Sequence, residues 1–233
     1  LSFSTGRFPL LSARLDAIAD ERPEVTAVAK APWYAPLRDR HVAIMCASYF
    51  FDSYVLFVFV FWLYLYFVEQ RGMSMMSSGI YTGLPFVLAI VFAPAAGYIC
   101  DELAVRFGRT WGRRIVAMVA LLNSAAFLVA GIHVGSQTLA VSGLSLAVAF
   151  LLCTEGAYWS ASMDLGGAST GTVSGVMNMA GNFGGVASTS LVPVLIQHFG
   201  WAFAFRSAAG LAVIAAVLWI FVQMPKSGAA LET

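Results

Sequence analysis

The chain contains six long apolar runs, and each approaches or exceeds the length needed to cross a lipid bilayer. An α-helix rises 1.5 Å per residue, so about 20 apolar residues span a hydrocarbon layer of about 30 Å. Lipid offers no partner to backbone polar groups, so a spanning segment of this kind is a helix. We therefore predict an all-α polytopic membrane protein whose six transmembrane helices form one bundle. The runs are residues 42–68, 79–100, 115–133, 139–159, 171–197 and 201–223.

Composition excludes an ordinary soluble domain. Apolar residues make up 60% of the chain and charged residues 11%, and the mean hydropathy is +0.80. The net charge is only +1, yet the basic residues crowd into residues 7–40 and 106–114. This distribution is typical of a membrane protein with cytosolic segments and argues against a nucleic-acid partner.

The connections between the runs predict the topology. Residues 69–78, 134–138 and 198–200 are short, and Arg71 is their only Lys or Arg. Because positively charged segments stay in the cytosol, we expect both ends of the chain to be cytosolic. The predicted organisation is a cytosolic linker with an aromatic interfacial anchor (1–40), the six-helix bundle (41–225) and a cytosolic tail (226–233). The chain begins at Leu1 without a signal peptide, so we expect it to be a piece of a longer protein.

The fifth run combines a spanning length with small and polar residues. At about 100° per residue, Asn178 and Asn182 share a stripe with several glycines. The stripe is either a helix-packing seam, as two GxxxG spacings suggest, or a ligand-binding surface. We expect the two amides to bind substrate, with Trp159, Tyr158 and Ser162 of the fourth run as their neighbours.

Two carboxylates inside the runs need a partner or a cavity. Asp52 lies ten residues into the first run, about 15 Å deep, and its side chain is too short to reach water from there. Glu155 is predicted to lie near the cytosolic end of the fourth run. We predict that Asp52, with Glu155 as the second candidate, couples transport to protons, because burial disfavours a charged carboxylate.

The segment GYICDELAVRFGRTWGRR (97–114) places an aspartate before a cluster of arginines. We predict that Asp101 ends one helix and pairs with an arginine of the following turn, which would latch two helices on the cytosolic side. The plain alternative is positive-inside topology alone. The predicted gating residues are Asp101, Arg106, Arg109 and Arg113.

No cofactor or metal is predicted. The three cysteines, Cys46, Cys100 and Cys153, lie in or at the ends of apolar runs without a CxxC spacing or a histidine partner. Cysteines of this kind behave as small buried apolar residues.

Several motifs together resemble the C-terminal half of the major facilitator superfamily, helices 7 to 12. The segment 97–114 is similar to the G-x-x-x-D-R-x-G-R-R loop of that superfamily, with extra residues and Glu102 in the arginine position. GLPF (83–86), GAYW (156–159) and SGVMNMAGNFGG (174–185) resemble helices 8, 10 and 11 of its anion:cation symporter family.

This resemblance implies a proton-coupled symporter of small organic anions, such as sugar acids or carboxylates, in the bacterial inner membrane. In that family the basic residue that holds the anion and the main proton-coupling carboxylates are generally in the N-terminal half. The implied partners are the small-molecule substrate, protons, the bilayer and the missing six-helix N-terminal half.

Three other functions are weighed against this one. An intramembrane enzyme using Asp52 and Glu155 lacks any supporting GxSG or HExxH motif. A membrane sensor or assembly subunit on a transporter scaffold stays open, as does a transporter of a neutral sugar-like solute. Uptake measured in vesicles distinguishes a transporter from the sensor.

Overall fold

The structure is a computed structural model that describes residues 34–225 of the chain. Within this range the regular elements are helical, and a short 3-10 turn at Ala35–Arg38 precedes the first long helix. Predictions for residues 1–33 and 226–233 lie outside the described part. The helices are α1 (Arg40–Leu65), α2 (Met75–Phe107), α3 (Arg109–His133), α4 (Gln137–Leu152), α5 (Glu155–Gly166), α6 (Thr170–Phe199) and α7 (Trp201–Trp219).

Five stretches of the described chain are long and apolar enough to cross a membrane. Four of them correspond to α1 with its π-helical continuation, α2, α3 and α7, and the fifth is the 63-residue stretch Gln137–Phe199. That stretch contains α4, α5 and α6. Two residues separate α4 from α5, and a turn at Gly167, with φ of 48°, separates α5 from α6. Glycine suits this left-handed conformation because it has no Cβ. These lengths and this hydropathy are those of an integral membrane protein.

Polar contacts hold the ends of three helices, α3, α5 and α7, together on one side of the bundle. Arg109 of α3 forms an ion pair with Asp164 of α5 at 3.2 Å. The backbone N–H of Met224, beyond α7, donates to the hydroxyl of Thr110 at 3.0 Å. The start of α3 therefore lies beside the ends of α5 and α7, and we name this side of the bundle the Asp164 end.

The opposite ends meet around Arg71. Its guanidinium donates to the carbonyls of Val134 at 2.6 Å and Gly131 at 2.8 Å, which caps the end of α3. Tyr66 packs against Trp201, the first residue of α7, with ring centroids 5.7 Å apart. We name this side the Arg71 end. Helices α1 and α6 run towards it, whereas α5 and α7 run back towards the Asp164 end.

Helix α1 begins at a capped N-terminus and packs closely against α6. The Asp39 carboxylate accepts the N–H of His41 at 2.7 Å, which satisfies a donor that the helix itself leaves unpaired. On α6, a Cβ at Gly184 would overlap the Phe50 carbonyl oxygen, and one at Gly181 would lie 2.7 Å from the Ser53 hydroxyl oxygen. Only glycine allows this approach, so the Gly181/Gly185 pair of the sequence lies in the α1–α6 seam.

Two helices extend beyond their predicted bounds. Helix α2 continues to Phe107, so the prediction that Asp101 ends a helix is wrong, and Gly108 alone joins α2 to α3. Helix α5 continues to Gly166 instead of ending at residue 159. Glu155 therefore lies about 16 Å from the end of the helix, not near it. The apolar run stops before Asp101 in the first case and before Ser160 in the second, but helical backbone continues past both points because its hydrogen bonds are internal.

Candidate functional site

Asp52 is fully enclosed between α1 and the junction of α4 with α5. Its side chain is 1% exposed, and its carboxyl oxygen Oδ1 lies 3.0 Å from the hydroxyl of Thr154. The same hydroxyl lies 2.7 Å from the carbonyl oxygen of Leu151. The break between α4 and α5 places Thr154 here, because this residue precedes α5 and directs its side chain back along α4.

Glu155 follows Thr154 but has a different environment. The Trp159 indole N–H donates to its Oε2 at 2.8 Å, and the Tyr49 hydroxyl donates to the same oxygen at 3.2 Å. Glu155 is partly buried and Trp159, which donates to it, is 39% exposed, so Glu155 lies at the edge of the bundle. Two donors and no acceptor around Glu155 match a carboxylate that accepts hydrogen bonds.

Tyr158 and Ser162 lie inside the bundle rather than on its surface. The Tyr158 hydroxyl is 2.7 Å from that of Ser48, which in turn donates to the Ala215 carbonyl at 2.9 Å. The Ser162 hydroxyl is 2.8 Å from that of Ser174. Both predicted wall residues are buried, and the hydroxyls contact Ser48 and Ser174 rather than the two asparagines.

Asn178 and Asn182 are exposed on α6. The Asn182 amide donates to the Asn178 carbonyl at 2.8 Å, one turn back. Gly171 and Gly175 of the same stripe have no atom near a hypothetical Cβ, unlike the glycines that face α1. The predicted stripe is thus an open surface at its start, and the packing seam is a neighbouring face of the helix.

Trp159 and Asn178 lie at a similar depth. Trp159 precedes Ser162 by three residues on α5, and Asn178 follows Ser174 by four on α6. Because these helices run in opposite directions and Ser162 contacts Ser174, both residues lie about one turn from that contact, towards the Arg71 end. We name the surface formed by Glu155, Trp159, Asn178 and Asn182 the polar face.

A separate ion-pair cluster lies at the Asp164 end. Arg113 forms ion pairs with Asp101 at 2.7 Å and with Asp164 at 3.5 Å, and Arg109 pairs with Asp164 at 3.2 Å. These contacts join α2, α3 and α5. Arg106 does not join them, since its partner is Glu102 on the same helix, at 2.7 Å. We name Asp101, Arg109, Arg113 and Asp164 the Asp164 cluster.

Sequence reasoning missed Thr154 and Asp164. Asp164 is the only charged residue between 156 and 197, which is a signal of a specific partner in an apolar segment. Thr154 gave no such signal, because its role depends on the helix break.

The cysteines Cys46, Cys100 and Cys153 are free and buried. Among residues 34–225, no group of three or more His, Cys, Asp or Glu side chains is arranged to hold a metal ion.

The chain is similar in sequence to several known transport proteins. The relatives include the Hexuronate transporter of Bacillus subtilis (strain 168), which is 28% identical over 212 residues, covering 89% of this chain and 50% of that protein. The Sodium-dependent phosphate transport protein 1, chloroplastic, of Arabidopsis thaliana is 26% identical, with 90% of this chain and 41% of that protein covered. The Ascorbate transporter, chloroplastic, of the same plant is 27% identical, with coverages of 85% and 36%.

The chain spans half or less of the length of these relatives. All three are transporters of anions by name, and none of the names describes an enzyme. The family model of the Major Facilitator Superfamily matches residues 8–189. Since this match covers most of an all-helical, membrane-spanning chain, the chain belongs to the Major Facilitator Superfamily.

Proposed function

We propose that this chain is the C-terminal six-helix half of a proton-coupled symporter of small organic anions. The observation that supports this most is the polar face, which groups two exposed amides and an exposed indole with a partly buried carboxylate on a largely apolar bundle. Lipid has no partner for such groups, so a water-filled path or a second bundle is the environment they fit.

The six spans of the proposal follow from the direction of the helices. Helices α4 and α5 together lead from the Arg71 end to the Asp164 end, and α6 leads back. Treated as two spans, the stretch Gln137–Phe199 raises the number of crossings from five to six. The Asp164 end also holds Arg109, Arg113 and Arg114, so it is the proposed cytosolic side of a bacterial inner membrane.

The substrate is proposed to bind against Asn178, Asn182 and Trp159. Amide groups donate to carboxylate oxygens and also pair with hydroxyls, and an indole provides a flat wall for a sugar ring. A hexuronate has both hydroxyls and a carboxylate, and the related Hexuronate transporter makes this class the first to test. Tyr158 and Ser162 are proposed to support this site from the bundle interior, because their hydroxyl contacts hold α5 against α1 and α6.

Proton coupling is assigned to Asp52 and Glu155. An anion that binds near an ionised Glu155 meets like-charge repulsion, about 1–4 kcal/mol at 4 Å for effective dielectric constants of 80 to 20. A proton taken up by either carboxyl lowers the negative charge of the pair and therefore its repulsion of the anion, so the anion and the proton bind more favourably together. Asp52 stays the leading site for the proton, since it is enclosed and Glu155 is at the edge.

A second six-helix bundle completes the proposed site. Within the apolar runs the only Lys or Arg is Arg206. It lies near the Arg71 end, and its guanidinium donates to the Ala202 carbonyl at 3.0 Å. The polar face thus has no cation of its own for an anion. In a two-bundle transporter the substrate binds between the bundles near the midplane, where the other bundle supplies such groups.

The test is uptake into proteoliposomes that contain the chain with and without its second bundle. Hexuronate, phosphate, ascorbate and a neutral hexose are compared under a proton gradient, a sodium gradient and no gradient. The proposal expects proton-driven accumulation of an organic anion only when both bundles are present. Asp52→Asn should abolish accumulation and leave substrate exchange, whereas Glu69→Gln, on an exposed carboxylate near the Arg71 end, should change neither.

Three outcomes contradict parts of this proposal. Accumulation of the neutral hexose would show that the substrate is a neutral sugar-like solute and not an anion. No uptake by a folded two-bundle assembly favours a sensor or assembly subunit. Robust uptake by this chain alone shows that copies of it form the pathway together.

A further inference from the structure

The Thr154 hydroxyl lies within hydrogen-bond distance of two oxygens at once. One is Oδ1 of Asp52, at 3.0 Å, and the other is the Leu151 carbonyl, at 2.7 Å. A threonine hydroxyl has one hydrogen to donate. With an ionised Asp52 the single hydrogen must be shared between the two acceptors or given to one of them. Both contacts are full hydrogen bonds only if Asp52 is protonated, so that Asp52 donates to Thr154 and Thr154 donates to Leu151.

Among residues 34–225, Thr154 is the residue whose side chain lies within hydrogen-bond distance of the Asp52 carboxyl. The Tyr158 and Ser48 hydroxyls form a chain that ends on the Ala215 carbonyl, so their hydrogens are already used. The Tyr49 hydroxyl donates to Glu155. If Asp52 loses its proton, either its buried charge has no partner or Thr154 turns to it. In the second case two oxygens face each other at 2.7 Å without a hydrogen between them, which is unfavourable.

The contact that is then lost lies at the junction of two helices. Leu151 is in the last turn of α4, and Thr154 directly precedes α5. The backbone N–H of Thr154 also donates to the Leu151 carbonyl, at 3.0 Å. A repelled hydroxyl therefore loosens the turn that sets the direction of α5, the helix that bears Glu155 and Trp159.

We propose that Thr154 is a positioning residue that transmits the protonation of Asp52 to the α4–α5 junction. Protonated Asp52 holds the junction closed, and ionised Asp52 opens it. The inference rests on the proposed function only in linking this movement to transport, because α5 also forms part of the polar face and of the Asp164 cluster.

The titratable groups that face Asp52 come from few elements. Helix α1 contributes Tyr49, and α5 contributes Glu155 and Tyr158. Helices α4 and α6 have no Asp, Glu, Lys or Arg. The only such residue of α7, Arg206, follows Phe205, which packs on Phe59 two turns beyond Asp52.

Cys153 reports on this junction directly. It is 6% exposed, and its thiol contacts the carbonyls of Ala149 at 3.2 Å and Phe92 at 3.5 Å. Replacing Cys46 and Cys100 with alanine leaves Cys153 as the only thiol of the chain. Its alkylation rate by N-ethylmaleimide, measured across pH in lipid vesicles, then follows the opening of the junction.

The variants should show two rates of Cys153 alkylation, a slow rate for a closed junction and a fast rate for an open one. Asp52→Asn should give slow labelling with the smallest rise with pH, because a neutral side chain keeps the junction closed. Thr154→Val should label about two- to tenfold faster than the parent at low pH, the change expected for one lost hydrogen bond, with no further opening at high pH. The parent should label at the slow rate of Asp52→Asn at low pH and approach the fast rate of Thr154→Val as pH rises.

Three controls protect this test. Thr154→Ser keeps the hydroxyl and should follow the parent, as should Glu155→Gln if Asp52 is the group that titrates. Thr189→Val removes a hydroxyl that contacts two carbonyls of its own helix, Gly185 at 3.1 Å and Val186 at 3.0 Å, and no carboxylate. It should also follow the parent.

The inference is overturned if Asp52→Asn keeps the pH dependence of the parent. It is equally overturned if folded Thr154→Val labels like the parent. Since labelling needs no substrate, absence of anion uptake alongside the expected labelling contradicts the proposed function and leaves this inference standing.

Discussion

Asp52 contacts Thr154, the residue that precedes Glu155 in the chain. The two carboxyl groups are therefore close neighbours, yet their hydrogen-bond environments are opposite. Asp52 faces a hydroxyl that is shared with a carbonyl, whereas Glu155 accepts from an indole and a phenol. Two carboxyl groups whose surroundings favour different protonation states are suited to different roles. Here one holds a proton in the interior and the other presents charge on the polar face.

At the scale of single residues, the asparagines give the sharpest prediction. Asn178→Ala and Asn182→Ala should each weaken anion binding by about 1–3 kcal/mol, if the amide makes a bond that the protein cannot replace. Binding is measured by isothermal calorimetry or by competition in the assembled transporter.

Asn123→Ala is the matched control for these variants. The Asn123 amide donates to the Val119 carbonyl at 2.8 Å, the same contact that Asn182 makes with Asn178, but on α3. It should bind the anion normally. Normal affinity in both α6 variants would reduce the asparagines to a structural role.

At the scale of helices, the α1–α6 seam depends on glycine at particular positions. Gly184→Ala should lower the free energy of unfolding by about 1–3 kcal/mol, because its Cβ would overlap the backbone of α1. Thermal unfolding in detergent measures the change.

Gly175→Ala is the control for the seam. This glycine has open space around it, and alanine in a helix is favoured by about 0.5–1 kcal/mol. The two substitutions should therefore shift the melting temperature in opposite directions. An equal fall in melting temperature in both variants would show that α6 tolerates alanine poorly at any position, and that the effect is not specific to the seam.

The Asp164 cluster makes a further prediction for helices. Asp164→Asn removes one ion pair from Arg113 and the only ion pair of Arg109 within residues 34–225, so the Asp164 end should open more often. Cys100, which is 1% exposed and has its thiol 3.4 Å from Arg113, should then be labelled about two- to fivefold faster by an impermeant thiol reagent, a small factor because the cluster is partly solvated.

Glu102→Gln is the control for the cluster. It removes an ion pair between Glu102 and Arg106 within α2 and should leave the labelling of Cys100 unchanged. An unchanged rate in Asp164→Asn as well would show that the cluster does not hold this end closed.

The sequence predicted the helical class and most of the spans, because long apolar runs leave the backbone one solution in lipid. It also located Asp52 correctly as an enclosed group. It could not predict the helix break at Thr154, since neither residue of the break, Cys153 or Thr154, is a proline or a glycine. The burial of Tyr158 and Ser162 also depends on which face of α5 meets α1, and apolar residues surround both faces.

At the scale of the whole molecule, the bundle has two chemically different ends. Cysteines introduced at Thr110 and Ser136 should react with an impermeant reagent from opposite sides of the membrane, Thr110 from the cytosol. Thr110 lies beside the arginines of α3, and Ser136 lies between α3 and α4 near the Arg71 end. Labelling of both positions from outside would contradict the six-span topology.

The central claim is that the polar face borders an aqueous anion pathway, and a cysteine at Asn178 tests it most directly. In vesicles with the assembled transporter, Asn178→Cys should react with a water-soluble thiol reagent, and hexuronate should slow the reaction. Leu122→Cys, at an exposed apolar position of α3, should stay unreactive. An unreactive cysteine at 178, or one that no anion protects, would contradict the claim.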